Sequence, residues 1–313
     1  MDRITKMPDF LVEMLEKQYG KELTSLILKG YQAKRKTTLR VNTIKTTTEK
    51  VKEELKKEKI AFEEVAWNKD AIILLQADEN DIRRLRMYDN GEIYLQSLSS
   101  MLPPMILAPQ EGENILDMAA APGSKTTQLA AMTNNKCMIT ACEMNKVRAE
   151  RLKYNLEKQG VTCSYVMVTD ARRLDDFFSF DKILLDAPCS GSGTLNETDE
   201  KIEKNFTMKL IQKSVETQTA LLKKAIRLLK PGKEMIYSTC SILESENEEV
   251  LEKALKEANV EVVPIDLQRD LNSYYKKDSN ELPLLPVKIP GTVCVCPNEL
   301  FEGFFIAKIK KRG

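Results

Sequence analysis

The sequence predicts an α/β chain of two units: a small α+β unit of ferredoxin-like type over residues 1–100, then a doubly wound, mostly parallel sheet over residues 101–313. Three observations carry this. A length of 313 residues is long for one core and suits one large domain plus a small one. From about residue 101, short apolar strand patterns alternate with helical ones. Before that point the segments run strand, helix, strand, strand, helix, strand, the order of a split β-α-β-β-α-β unit.

Ahead of the small unit, "PDFLVEMLEKQYG", with Pro8 at its start, and "KELTSLILKG", ending at Gly30, predict two short helices. The unit itself is read from "TLRVNTI" as a strand, "TTEKVKEELKKE" as a helix, "IAFEEVAW" and "AIILLQ" as strands, "ENDIRRLRMYD" as a helix, and "GEIYLQ" as a strand after the Asn90–Gly91 turn. Many RNA-binding modules use this RRM-like arrangement, yet the aromatic motifs with which they stack bases are missing here. In the larger unit the strands are "ENILDMAA", "CMITACE", "CSYVMVTD", "DKILLDAP", "EMIYSTC", "VEVVPID" and "GFFIAKIK". Between them lie helices from Ser124, over "KVRAERLKYNLEKQG", over "LIQKSVETQTALLKKAIRLLKPG" and over "ENEEVLEKALKEA". Strands this apolar imply helices on both faces of the sheet, and ligands then bind outside the strands' carboxyl ends.

Composition narrows the chemistry. The chain has no histidine, which removes Ser-His-Asp and Cys-His nucleophile pairs, zincin sites and a histidine general base. Seven cysteines without a C-x-x-C pair argue against a disulfide framework or a four-cysteine zinc site, so no metal is expected. Charges throughout the first twenty residues, and no long uncharged apolar stretch, predict a cytoplasmic protein without a membrane partner. A monomer is expected. With 48 basic and 47 acidic residues the net charge names no polyanionic partner. Locally, Lys29, Lys34, Arg35, Lys36, Arg40 and Lys45 form a stripe without an acid between them, which reads either as a solvated face or as a phosphate-tracking surface. The Arg83, Arg84 and Arg86 cluster is a second such candidate.

"LDMAAAPGSKTTQLA" places small residues and a glycine between a strand and a helix, where backbone approaches a ligand closely. A P-loop ending at Lys125 needs glycine at 119 and 124, but Ala119 and Ser124 stand there. A dinucleotide fingerprint needs three glycines, and only Gly123 is available. S-adenosylmethionine, which has no phosphate to cradle, remains. Glu143 ends the next strand, where its carboxylate can accept from ribose hydroxyls, and Asp170 ends the third, where it can accept from the adenine amino group. Each acid also reads as a helix N-cap or a solvated loop residue.

"KILLDAPCSGSGTL" follows the fourth strand, and where amino-group methyltransferases carry a base-stacking aromatic it has Cys189. Chemistry on a ring carbon becomes the alternative. Carbon 5 of cytosine is barely nucleophilic until a nucleophile adds at carbon 6, and a thiolate suits that task. Cys240, just beyond the "EMIYST" strand, is the other thiol at a strand end. Ser245-x-x-Glu248 reads as a capping box for the next helix, and Cys294 and Cys296 read as structural.

In "AAAPGSKT", Glu143 with Arg148, Asp170, "DAPCSGSGT" and "YSTCSI", taken in order, the chain resembles the RsmB/RsmF-type (Nop/Sun) RNA cytosine-5 methyltransferases across nearly its whole length. The resemblance implies a Rossmann-like class I methyltransferase fold and a reaction between S-adenosylmethionine and carbon 5 of cytosine in RNA. It implies that Ala119, Ala120, Ala121, Pro122, Gly123, Ser124, Lys125, Glu143, Arg148, Asp170 and Asp186 hold the cofactor. Cys240 is then the nucleophile, Cys189 the second thiol that assists breakdown of the covalent adduct, and Asp186 also a partner for the cytosine edge. "QSLSSMLPPMIL" and "FEGFFIAKIKK" look like family segments, with Glu302 where the family has aspartate and Cys296-Pro297-Asn298 without the histidine sometimes found nearby. The usual C-terminal RNA-binding extension is not seen. Ribosomal RNA is the favoured substrate, and transfer RNA the alternative. A non-catalytic RNA-binding ribosome-assembly factor is the rival of another class, and a DNA cytosine methyltransferase acting through Cys189 is a third reading.

Overall fold

A computed structural model describes residues 7–271 and 282–313. The chain begins with helix α1 (Asp9–Gln32), which turns at Gly20, where φ is +77°. That glycine joins the two expected helices into one bent element, since a left-handed residue there needs no Cβ relief. The buried face of α1, including Leu11, Leu15, Ile27 and Tyr31, packs into the core of the larger sheet.

The small unit has β1 (Thr38–Val41), α2 (Thr48–Lys57), β2 (Phe62–Val65), β3 (Asn68–Leu74), α3 (Glu79–Arg83), α4 (Arg86–Asp89) and β4 (Ile93–Leu95). Its sheet order is β2-β3-β1-β4 with every neighbour antiparallel, as the split arrangement requires. Val51 and Leu55, one turn apart on α2, close its core against Leu39, Val41, Ile72 and Leu74. The single helix expected over "ENDIRRLRMYD" is instead α3 and α4, broken at Leu85, whose backbone is extended.

The larger unit continues with α5 (Leu98–Leu107), which contains the expected boundary at residue 100, then β5 (Asn114–Asp117), α6 (Ser124–Met132), β6 (Met138–Cys142), α7 (Lys146–Lys158), β7 (Ser164–Met167) and β8 (Phe180–Asp186). After these come α8 (Ile202–Asn205), α9 (Met208–Leu228), β9 (Leu229–Thr239), α10 (Glu248–Glu257), β10 (Val260–Val263), α11 (Leu267–Asp270), β11 (Leu284–Leu285), β12 (Val293–Val295) and β13 (Phe304–Lys311). α9 stops at Leu228, short of the expected Gly232, because Leu229 already pairs with Phe180 across the sheet.

Strands run β7-β6-β5-β8-β9-β13, parallel up to β9, with β13 antiparallel at the end. β10 and β12 share the far edge of β13. Period-two alternation sends Leu116, Ile183, Leu185 and Tyr237 to the face covered by α1, α9 and α10. Ile115, Leu184, Ile236 and Ile306 go to the face covered by α5 and α6. The chain reverses between β5 and β8, so a crevice opens at the ends of these strands.

Candidate active site

The loop from β5 to α6 forms one wall of that crevice. Asp117, the last residue of β5 and buried, accepts from Thr126 Oγ1 at 2.7 Å. Burial pushes its carboxyl up to about 6, although the Thr126 hydroxyl and the Lys125 ammonium pull the other way. Ala120 N–H donates to Cys142 O, Arg148 reaches Ala121 O at 2.8 Å and Asn155 reaches Pro122 O at 2.7 Å, so α7 ties the loop down. Gly123 caps α6 with φ +107°, and a Cβ there would meet Leu152 Cδ1 at 3.0 Å. Only glycine lets the loop lie this close to α7.

Two cavities adjoin this loop. The first is lined by Met118, Ala119, Glu143, Arg148, Asp170 and Pro188, bringing together four of the expected cofactor residues. Glu143 is buried, with Oε1 accepting from Asn145 N–H at 2.8 Å and Oε2 3.6 Å from Arg148. Asp170 is closed by Arg172, which donates through Nε and Nη2, and this pairing holds the carboxyl below its usual range. Ala120 and Ala121 are buried against Leu152 and Leu156, so they shape the loop rather than line the cavity.

The second cavity, about 550 Å³, lies between the two units and is lined by Pro122, Ser124, Lys125, Asp186, Cys240, Glu302 and Phe304, with Arg35 and Lys36 of the small unit's approach. Asp186, expected at the cofactor as well as at the base, lies in this second cavity. Its Oδ1 accepts from Ser238 Oγ at 2.9 Å, and its Oδ2 pairs with Lys125 Nζ at 2.7 Å. Lys125 also donates to Ser100 Oγ at 2.9 Å and sits over the Phe304 ring. Burial works to lower its pKa, but Asp186, with Asp117 and Cys240 nearby, carries it above the ordinary value. The ammonium is thus fixed and charged beside a thiol.

Cys240 follows β9 directly, and its Sγ lies 3.1 Å from Cys189 Sγ. The two sulfurs the sequence singled out meet. The Cys189 thiol is pushed well up by the adjacent Cys240 sulfur and by burial, so Cys189 keeps its proton. Five cysteines lie elsewhere, with Cys294 on β12 beside β13 and Cys296 just after β12, both buried.

One residue central to this geometry is not among those the sequence singles out. Glu246 is fully buried, accepting from Ser190 N–H at 2.7 Å, Ser190 Oγ at 2.6 Å and Ser241 Oγ at 2.6 Å. It clamps the Cys189 loop to the Cys240 loop, and Gly193 N–H to Cys240 O at 2.9 Å adds a second tie. The expected capping box does not form: Asn247 precedes α10 without a side-chain cap, and Ser245 Oγ is buried without a partner among the described residues. An acid five residues past "STCS", directly after Ser245, was the available signal.

The basic stripe does not form one surface. Arg40 is buried, Arg35 donates to the carbonyls of Thr194 and Leu195, and Lys45 to those of Asn90 and Lys158. Only Arg35 and Lys36 face the Cys240 cleft. Among the described residues there is no group of side chains with metal-ligand spacing, and no helix is long and apolar enough to cross a membrane.

Residues 104–310 match the family described as 16S rRNA methyltransferase RsmB/F, and residues 7–80 match the ferredoxin-like domain of RsmF/B-like methyltransferases. The probable ribosomal RNA small subunit methyltransferase B of Bacillus subtilis is 30% identical over 315 residues, covering 99% of this chain and 67% of that protein. Ribosomal RNA small subunit methyltransferase F of Vibrio vulnificus is 36% identical over 76% of this chain and 50% of its own length. The mouse 28S rRNA (cytosine-C(5))-methyltransferase is 37% identical over 78% of this chain and 31% of its own. The chain therefore spans about half or less of the length of several curated relatives it matches. A solved methyltransferase homologue from Pyrococcus horikoshii superposes with a TM-score of 0.79 at 31% identity, covering 97% of this chain and 100% of that one.

Proposed function

The chain belongs to the RsmB/F family of 16S rRNA methyltransferases, and on that premise we propose that it transfers a methyl group from S-adenosylmethionine to carbon 5 of a cytosine in RNA, with ribosomal RNA as the substrate. The observation that carries the reading is the pair of sulfurs 3.1 Å apart in a cleft that also holds the Lys125–Asp186 ion pair.

Cys240 Sγ adds to carbon 6, and the displaced π electrons make carbon 5 nucleophilic. No histidine is present to take the Cys240 proton, which passes to solvent as the sulfur attacks, and the charged Lys125 ammonium and the Cys189 thiol are the groups that face the attacking sulfur. Asp186, braced by Ser238 and Lys125, presents a carboxylate to the edge of the ring. Once carbon 5 is methylated, its proton leaves to solvent, the C5–H electrons re-form the C5–C6 double bond, and the S–C6 bond breaks with its electron pair returning to Cys240 Sγ, a stage that Cys189, adjacent to that bond, assists.

S-adenosylmethionine supplies an electrophilic methyl carbon when bound. The residues fit it: Met118, Ala119 and Pro188 give an apolar lining, Glu143 offers a buried carboxylate to ribose hydroxyls, and Asp170 offers one to the adenine amino group in exchange for Arg172. Ala119 to Lys125 with Arg148 shape the loop that holds it. The division near residue 100 belongs to the same proposal, with the ferredoxin-like unit as the wall that faces RNA. A non-catalytic assembly factor has no need of two apposed thiols. Labelled methyl transfer to ribosomal RNA is expected to vanish in Cys240→Ala, and Cys189→Ala to accumulate a protein–RNA adduct on denaturing gels; full transfer by Cys240→Ala would overturn the reading.

A further inference from the structure

A third cavity, about 510 Å³, lies where the small unit meets α7, and none of its lining residues is acidic. Tyr88 and Tyr94 enter it from α4 and β4, and Tyr154 from α7, where the residue is 62% exposed. Arg83, Arg151 and Lys158 supply three cations. Two of them dress Tyr88: the Lys158 ammonium stands 3.7 Å from the ring centroid and the Arg83 guanidinium 5.3 Å. Arg83 is held there by Glu79 at 2.8 Å and by the Tyr88 hydroxyl, whereas Arg151 has no ion pair among the described residues. Tyr94, Leu95 and Pro122 line both this cavity and the Cys240 cleft, so the two share a wall.

Aromatic faces interleaved with cations, with the one carboxylate named here, Glu79, outside the lining and paired with Arg83, match the chemistry of single-stranded nucleic acid, whose bases stack on tyrosine while the backbone seeks positive charge. A strand that turns one cytosine into the Cys240 cleft must unstack it from its neighbours, and the faces so uncovered need new partners. We propose that this cavity receives a base of single-stranded RNA flanking the target cytosine, stacked on Tyr154 and Tyr94, with its phosphate at Arg151. The inference rests on the proposed RNA reaction, and it names a second subsite for the same strand. Arg83 and Lys158 act by holding Tyr88 as the side wall.

The test uses the full chain and a short single-stranded RNA with one methylatable cytosine and 2-aminopurine placed in turn at each flanking position. Wild type should quench the probe at one flanking position. Tyr154→Ala should abolish that quenching and weaken binding about tenfold or more, the scale of one lost base stack. Arg151→Ala should lower the salt slope of binding by about one phosphate contact. Both residues are exposed, so the variants should fold as wild type does. If wild type methylates the RNA while both variants match it in quenching, affinity and salt slope, the subsite is overturned and the reaction stands. Binding that weakens equally at all probe positions without a position-specific loss of quenching overturns it too. A wild-type chain that neither binds nor methylates any RNA removes the reaction, and the subsite with it.

Discussion

Asp117 is held where water would suit it better. Its pKa rises from 3.8 to about 6 because burial disfavours the charged form more than Thr126 and Lys125 favour it. The sign is that of a raised acid: between these two values the folded chain binds more protons than the unfolded one, so stability falls as pH rises through that window and is level above it. At 1.36 kcal/mol per unit the penalty at neutral pH is about 3 kcal/mol, about half of which should return between pH 7.5 and pH 5. Asp117→Asn removes the titration. Its urea-unfolding free energy should therefore gain less on acidification than that of wild type, and parallel curves for the two proteins would show that Asp117 does not titrate as described. The carboxylate is kept despite its cost because it fixes Thr126 at the start of α6 and adds negative charge near Lys125.

The Cys189 loop and the Cys240 loop follow neighbouring strands, β8 and β9, but strand pairing alone does not set two sulfurs 3.1 Å apart. Glu246 does, by accepting from Ser190 on one loop and Ser241 on the other. Glu246→Ala takes the shared acceptor from half-buried Ser190 N–H and Oγ and leaves buried Ser241 Oγ with Ser192 Oγ as its remaining side-chain hydroxyl partner, so it should cost about 2 kcal/mol of stability together with most of the methyl-transfer rate. Glu246→Gln keeps one oxygen and the shape, and the serine hydroxyls can rotate, so it should lose about 1 kcal/mol and retain part of the rate. Melting curves and single-turnover assays on the two variants check this; equal rates in wild type and Glu246→Ala would mean that the loops hold their own geometry. Both thiols were legible because a cysteine just past an apolar strand has a fixed address in a doubly wound sheet. The small unit was legible through its order of segments, which the antiparallel pairing of β2-β3-β1-β4 reproduces. Glu246 was not, because an acid among acids reads as helix-start chemistry until its burial is known. Arg40 was not for the same reason: a stripe counts charge, and only packing says which member turns inward.

The two units are joined by more than the chain that connects them. Arg40 of β1 is buried, donating from Nε to Gln96 Oε1 at 2.9 Å and from Nη2 to Thr127 Oγ1 at 2.9 Å on α6. Gln96 passes the link on to Gln128 Oε1 at 2.9 Å, and burial lowers the guanidinium to about 10 without coming near neutral pH, so it stays charged. This network fixes the wall carrying Arg35, Lys36 and Tyr94 against the loop carrying Pro122 and Lys125, and the Cys240 cleft is the gap between them. Arg40→Met should cost about 2 kcal/mol through the acceptors it strands, and Arg40→Lys should not restore it, since an ammonium cannot span two acceptors as a planar fork does. Function should divide in a way that a merely weakened fold would not produce. The pocket at Ala119, Glu143 and Asp170 lies within the larger unit, so affinity for S-adenosylmethionine should stay near wild type while KM for RNA rises severalfold. Calorimetric titration with the cofactor and steady-state methyl transfer on the same preparation separate the two quantities. A parallel loss of both would mean that Arg40 supports the larger unit's own fold, and no change in KM would mean that the small unit is positioned by its other contacts.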